Sequence, residues 1–350
     1  MRKNIFMPFF LILLFSTMLF SFFMYKGVIV DYIIFRENPL GTTFISDAND
    51  NKIQCADVVN MYNKWKENNA DVDQHFRQIF EKVIDINNSG YHAYYHKSQK
   101  PDRDIIVFFH GVQCCIFSDP FVNTARNYCF LNYIKDDFDV LIVEYPSFSI
   151  NKKEDIRTNF KKVLKEVNKW VGENYKDKKK IIIGHSFGCY LSLYCSNLSD
   201  DFNYDGIIIA NPFSNLQSAV KHCTRSGILY PFAFLQKKEY DCVEEVRKLK
   251  TNLVIVKLDS DHICPPGDAK IILDNFNKKH YSNIKCELFD VAKYDSLSTF
   301  AKYHRHEFPN IEQLLFFAKR FCDKNYANIT YDDYKKALIE NEKRVNSTNI

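Results

Sequence analysis

Residues 179–196, KKIIIGHSFGCYLSLYCS, decide how the rest of the chain is read. Ile181, Ile182 and Ile183 form a β-branched run, short enough for a strand buried on both faces. Gly184-His185-Ser186-Phe187-Gly188 follows at once, the pattern G-x-S-x-G. Cys189, Tyr190, Leu191, Leu193 and Tyr194 then continue as a mostly apolar segment that reads as a buried helix. Strand, sharp turn and helix together give this pattern its mechanical meaning. The turn forces Ser186 into a strained backbone conformation, and side chains two residues to either side would collide with strand or helix. Glycine at 184 and 188 removes those side chains, so Ser186 is expected to stand proud at the carboxyl edge of a sheet. A chance occurrence of the pattern in a loop would lack both flanking elements.

Working outward, DIIVFF at 104–109 is a second apolar strand, ending in His110-Gly111-Val112-Gln113. DVLIVEY at 139–145 is a third, closed by Pro146 and Ser147. Between it and the serine strand, residues 154–175 carry Ile156, Phe160, Val163, Leu164, Val167, Trp170 and Val171 on one helical face. DGIIIA at 205–210 leads into Asn211-Pro212-Phe213, and LVIVKL at 253–258 leads into Asp259-Ser260-Asp261-His262. A last strand is predicted at 285–289, with helices over 121–135, 268–277 and 311–321 and an irregular helical region over 214–250. Apolar strands alternating with amphipathic helices predict an α/β fold, a mostly parallel sheet flanked by helices on both faces. Sites in such sheets gather at the carboxyl ends of the strands. Every polar constellation named here falls at such an end.

The 350 residues allow one large domain or two small ones. Arg2 and Lys3 precede residues 5–25, a run without charge that is long enough to span a hydrocarbon core. A cleaved signal would have a shorter apolar region followed by a small-residue cleavage site, so the reading is an uncleaved, single-pass N-terminal membrane anchor. The leading charges favour a cytoplasmic N-terminus (type II), against which stand Lys26 and Arg36 on the other side. The predicted organisation is a signal-anchor or transmembrane segment at 1–35, an N-terminal extension with helices at 36–99, the sheet domain at 100–322 and a polar tail at 323–350. Within the extension, 57–66 and 75–83 read as helices and 91–96 as a strand.

Lys plus Arg at 47 against Asp plus Glu at 43 is nearly balanced, and no basic stripe or motif points to nucleic acid. The eleven cysteines show no C-x-x-C pair and no disulfide framework, and read as small buried hydrophobes. No metal or organic cofactor is implied. Asn87, Asn197, Asn328 and Asn346 open N-x-S/T sequons of the kind an Asn-rich composition produces by itself.

From about residue 100 to 322 the chain resembles the α/β-hydrolase superfamily, and within it the compact, membrane-anchored serine hydrolases that lack a large lid. Those proteins carry an F-x-H-G-N strand end, a Y-P-G-x-G-x-S turn, a G-x-S-x-G elbow, an E-N-x-F segment, a D-x-x-V-P-P acid loop and a late histidine. The counterparts here are residues 108–112, 145–149, 184–188, 210–213 and 261–266, in the same order. Val112 stands where these relatives have Asn, Ser147 and Ser149 where they have turn glycines, and Cys264 where they have Val. Residues 50–90 also hold more helix than the family's opening hairpins.

A serine hydroxyl is a weak nucleophile at neutral pH and needs a base beside it and a third group to orient that base. The resemblance implies Ser186 as nucleophile and the order serine, acid, histidine along the chain. It aligns Asp261 with the acid, Asp259 being the alternate. The plainer reading of either is a loop residue capping the next helix. The base must follow the last strand, where His304 and His306 lie. The string His306-Glu307-Phe308-Pro309 resembles the family's His-Phe-Pro run and favours His306, with His304 as alternate. Oxyanion donors are expected from the main-chain amides of Phe187 and Val112, and His110 is expected to brace that loop. The implied activity is cleavage of an ester or thioester in a lipid or acylated small-molecule or protein substrate beside a membrane. A serine peptidase on the same fold and a non-catalytic binding module of hydrolase shape stand as alternatives.

Overall fold

The computed structural model describes residues 15–18, 44–46, 52–68, 70–112, 115–117, 130–146, 150–151, 156–224, 239–259, 261, 263–279, 284–291, 311–324, 328–334 and 336. Its centre is an eight-stranded sheet. The strands are β1 (Val83–Asp85), β2 (His92–His96), β3 (Asp104–Phe109), β4 (Phe138–Val143), β5 (Lys180–His185), β6 (Gly206–Ala210), β7 (Leu253–Lys257) and β8 (Cys286–Asp290). Across the sheet they run β8-β7-β6-β5-β3-β4-β2-β1. β3 to β8 pair in parallel, whereas β2 is antiparallel to both β4 and β1. A separate two-stranded antiparallel ribbon joins Phe44–Ser46 to Lys52–Gln54.

The helices are α1 (Cys55–Asn68), α2 (Gln74–Phe80), α3 (Phe130–Ile134), α4 (Ile156–Asn174), α5 (Phe187–Asn197), α6 (Leu216–Thr224), α7 (Cys242–Val246), α8 (Pro266–Lys279) and α9 (Ile311–Cys322). Successive strand residues point to opposite faces, and the core divides accordingly. Ile106, Phe108, Ile181 and Ile183 face a cluster built with α1, α2, α3 and α9. Ile105, Val107, Phe109 and Ile182 face one built with α4, α5, α7 and α8. With both faces covered, β4, β5 and β6 are buried along their whole length, which is why they read as unbroken apolar runs.

β1 and β2 lie before residue 100, yet β2 pairs along β4 from Ala93↔Val143 to His96↔Val140. α1 and α2 bury Val58, Tyr62, Phe76 and Phe80 against the same sheet. The extension is therefore continuous with the hydrolase-like core, because β4 would otherwise be an exposed and mostly apolar edge. Beyond Asp323, Tyr331 and Tyr334 pack on Phe316 at ring-centroid distances of 5.5 and 5.0 Å, so the tail begins with core residues. The sequon residues Asn87 and Asn197 use their side-chain amides to hold Glu166 and Glu245.

Of the predicted anchor at 5–25, only residues 15–18 are described, a helical turn with Phe15 and Met18 exposed. Among the described residues no helix is long and apolar enough to cross a membrane. Of the predicted helix at 121–135, the described part is α3.

Candidate active site

The chain runs on from β3 to β4 on one side of the sheet and from β5 to β6 on the other, although β3 and β5 are neighbours. Loops leaving their carboxyl ends therefore diverge and open a crevice, the usual binding position in a sheet of this kind. Ser186 follows β5 and Gly111 follows β3, so both sit at that crevice.

Ser186 has φ 54° and ψ −118°, outside the regions open to ordinary L-residues. Such a conformation costs on the order of 1–3 kcal/mol. The three fully buried isoleucines of β5, at about 1.5–3 kcal/mol each, outweigh it. The serine's main-chain N–H donates to the carbonyl of Ala210 at the end of β6, 2.9 Å away, and this bond pins the turn to the neighbouring strand. The two glycines serve close approach. A Cβ on Gly188 would overlap the carbonyl of Phe109 and lie 2.8 Å from that of His110. One on Gly184 would overlap the Ser192 hydroxyl and the carbonyl of Gly188. α5 thus presses directly on the end of β3. The turn does not leave Ser186 proud, however: the residue is only 4% exposed.

The loop after β3 lies against the serine. A Cβ on Gly111 would stand 3.3 Å from Ser186 Cβ and 3.7 Å from Oγ. Val112 follows, half-buried against the core. Phe187 opens α5, where the first N–H groups have no acceptor within the helix. The expected pair of oxyanion donors is thus attached to the two strand ends that meet here. His110 braces the loop as expected. Its Nδ1–H donates to the carbonyl of Gly111 at 2.8 Å, and its Nε2 faces Glu144 Oε1 at 3.3 Å.

The two acid candidates differ in setting. Asp259 has a side chain 53% exposed, paired with Lys257, which also holds Asp290. Asp261 is buried, and its Oδ1 accepts the main-chain N–H groups of Ile263 and Cys264, both at 2.8 Å. Cys264 in turn carries its Sγ 3.9 Å from Ser186 Oγ. One residue thus touches both the serine and the buried carboxylate. Its bonds shape the loop, whereas Asp268 in the first turn of α8 accepts from the N–H of Ser214 at 2.6 Å. His304 and His306 lie outside the described residues. His222, on α6, donates its Nε2–H to the carbonyl of Asp261 at 3.1 Å.

Strand order, serine elbow and the loop after β3 now stand together. The fold is that of an α/β-hydrolase. No protein-family model and no curated protein matches the chain. Among solved structures, an acylaminoacyl peptidase of Pyrococcus horikoshii superposes with a TM-score of 0.46 at 13% identity, covering 69% of this chain and 41% of its own. An esterase of Pyrococcus furiosus gives 0.47 at 14%, covering 66% and 85%. Acetyl xylan esterase 1 from Thermoanaerobacterium sp. gives 0.39 at 15%, covering 57% and 72%. The chain spans less than half of the peptidase's length, and likeness at these identities concerns the fold alone.

Two residues near the serine turn were not anticipated from sequence. Glu144 was read only as part of an apolar strand, although a lone carboxylate closing such a strand is a signal of an internal partner. Cys264 was noted as a departure from the family pattern but not as a neighbour of the serine. Burial pushes the Cys264 thiol well above its usual range, with the Asp261 charge adding to the effect. The group beside Ser186 is therefore a neutral thiol and no rival nucleophile. Cys264→Val, which replaces the sulfur by two methyl groups at a buried position, is expected to cost about 1–3 kcal/mol and to leave the rate of fluorophosphonate labelling unchanged. A melting curve and a labelling time course check both.

Proposed function

We propose that the chain is a serine hydrolase that forms an acyl-enzyme on Ser186. In this reading the hydroxyl attacks the carbonyl of an ester or thioester while a histidine from the segment after β8 takes its proton. His306 is the first choice for that base and His304 the alternate. Asp261 orients the ring, and the amides of Phe187 and Val112 receive the developing oxyanion. The proton passes to the leaving group, and water then releases the acyl chain by the same steps in reverse. Residues 5–25 would tether this site beside a membrane, which suits lipid or acylated-protein substrates.

One observation carries the reading: a serine held in a strained turn between β5 and α5, with the Gly111 backbone pressed against it. Strain of this kind persists where the surrounding structure over-determines it, and it clusters at working sites. The test is a fluorophosphonate probe on the full chain. Labelling of the wild type that vanishes in Ser186→Ala supports the reading. A wild type that takes no label, or a Ser186→Ala chain that keeps it, overturns it. Matched ester, thioester and peptide substrates then separate the ester hydrolase from a peptidase.

A further inference from the structure

The carboxyl ends of β3 and β4 carry a pair of side chains that the reaction above does not use. His110 and Glu144 are both wholly buried, with Nε2 and Oε1 3.3 Å apart. Their other partners tie both groups to main chain. The carbonyl of Gly111 can only accept, so the His110 Nδ1 facing it bears a proton. Both carboxylate oxygens already accept main-chain N–H groups: Oε2 from Ile116 and Oε1 from Tyr145, each at 3.1 Å. Nε2 and Oε1 meet through the remaining hydrogen bond of the pair. Tyr145 completes the circuit. Its hydroxyl donates to the carbonyl of His110, and its ring stacks on the imidazole at 4.1 Å and 24°. Asn151 reaches in from the next turn and donates to the carbonyls of Glu144 and Tyr145, both at 3.0 Å.

These bonds reach His110, Gly111 and Ile116, the first two directly before Val112. We propose that Glu144, acting through His110, is the positioning residue of the oxyanion hole. It sets the direction of the Gly111–Val112 backbone before the carbonyl of a substrate becomes tetrahedral. The inference rests on Ser186 being the acylated nucleophile. Oxyanion donors stabilise the transition state only if they are held in place beforehand. Such positioning needs a brace, and a buried network bonded to main chain at both ends is a stiff one. An amide does not replace the carboxylate. In Glu144→Gln one oxygen becomes an NH2 group, which faces the N–H of either Ile116 or Tyr145, donor against donor.

The test uses the full chain with p-nitrophenyl acetate as substrate and an arylboronic acid as inhibitor, since boron forms a tetrahedral anionic adduct on a serine oxygen. In Glu144→Gln, kcat is expected to fall about 10²-fold, with KM little changed and boronate affinity reduced in the same proportion. Tyr145→Phe keeps the stack but loses one bond of the brace, and should show the same split with a smaller loss. Tyr175→Phe is the control for instability alone. It removes a hydroxyl that donates at 2.6 Å to the buried Asp139 near the amino end of β4, and should melt lower with kcat intact. Wild-type kcat and boronate affinity in Glu144→Gln overturn the positioning role, as does a loss confined to KM. In that case continued labelling of Ser186 leaves the hydrolase reading standing. A wild type that neither labels nor turns over removes both.

Discussion

Ser186→Gly is expected to lose turnover by a factor on the order of 10⁴–10⁶ and yet to melt a few degrees higher than the wild type. The loss follows from the absence of the oxygen that would carry the acyl group. The gain follows from the backbone. At φ 54° and ψ −118° an L-residue is strained, and the turn holds it there by the bond to Ala210 and by α5 packed on the end of β3. Glycine adopts positive φ freely. Relief of about 1–3 kcal/mol exceeds the roughly 0.5–1 kcal/mol of extra chain entropy that glycine loses on folding. Ser186→Ala separates the two effects, since it removes the hydroxyl but keeps the Cβ and its strain. Thermal melts of the three proteins should rank Gly above both Ala and wild type. Equal melting of the Gly and Ala variants would show that the turn stores no strain.

His110→Ala is expected to be the most damaging single change to stability, at about 3–5 kcal/mol, or a fall in melting temperature of roughly 10 °C. The ring is wholly buried, stacks on Tyr145, and bonds both Gly111 and Glu144. Truncation takes from the buried Glu144 carboxyl group the ring that meets it at 3.3 Å. Loss of a hydrogen-bond partner by a buried carboxyl group, more than the missing volume, sets the size of the effect. His110→Phe tests that division, because it restores the volume and the stacking but not the bonds. Denaturant unfolding of His110→Phe should recover only the smaller part of the loss. Full recovery would mean that packing, not hydrogen bonding, holds this loop.

The elements of this fold were legible because each repeats a local pattern. Runs such as Ile181 to Ile183 and residues 104–109 read as strands since burial on both faces demands apolar residues at every position. The elbow was legible for a second local reason: only glycine fits at 184 and 188, where a Cβ would meet the chain itself. The short β1 and the placement of β2 were harder. Three residues with a mixed burial pattern carry no period, and membership of a sheet edge depends on the partner strand. The choice between Asp259 and Asp261 came from the family resemblance, and the pattern around two acids two residues apart does not say which one turns inward.

By itself, then, the sequence determined the alternation of strands and helices, the serine elbow and the order in which the polar segments follow the strands. Tertiary structure alone decided that the first two strands complete the sheet and that Asp261 is the buried acid. It alone brought Cys264 to the serine and Glu144 beneath the loop of Gly111. The reason is one of range. Periodicity and glycine requirements act within a few residues, whereas Ser186 meets Cys264 and His110 meets Glu144 across 78 and 34 positions of chain, and only the packing of strand ends against one another sets such distances.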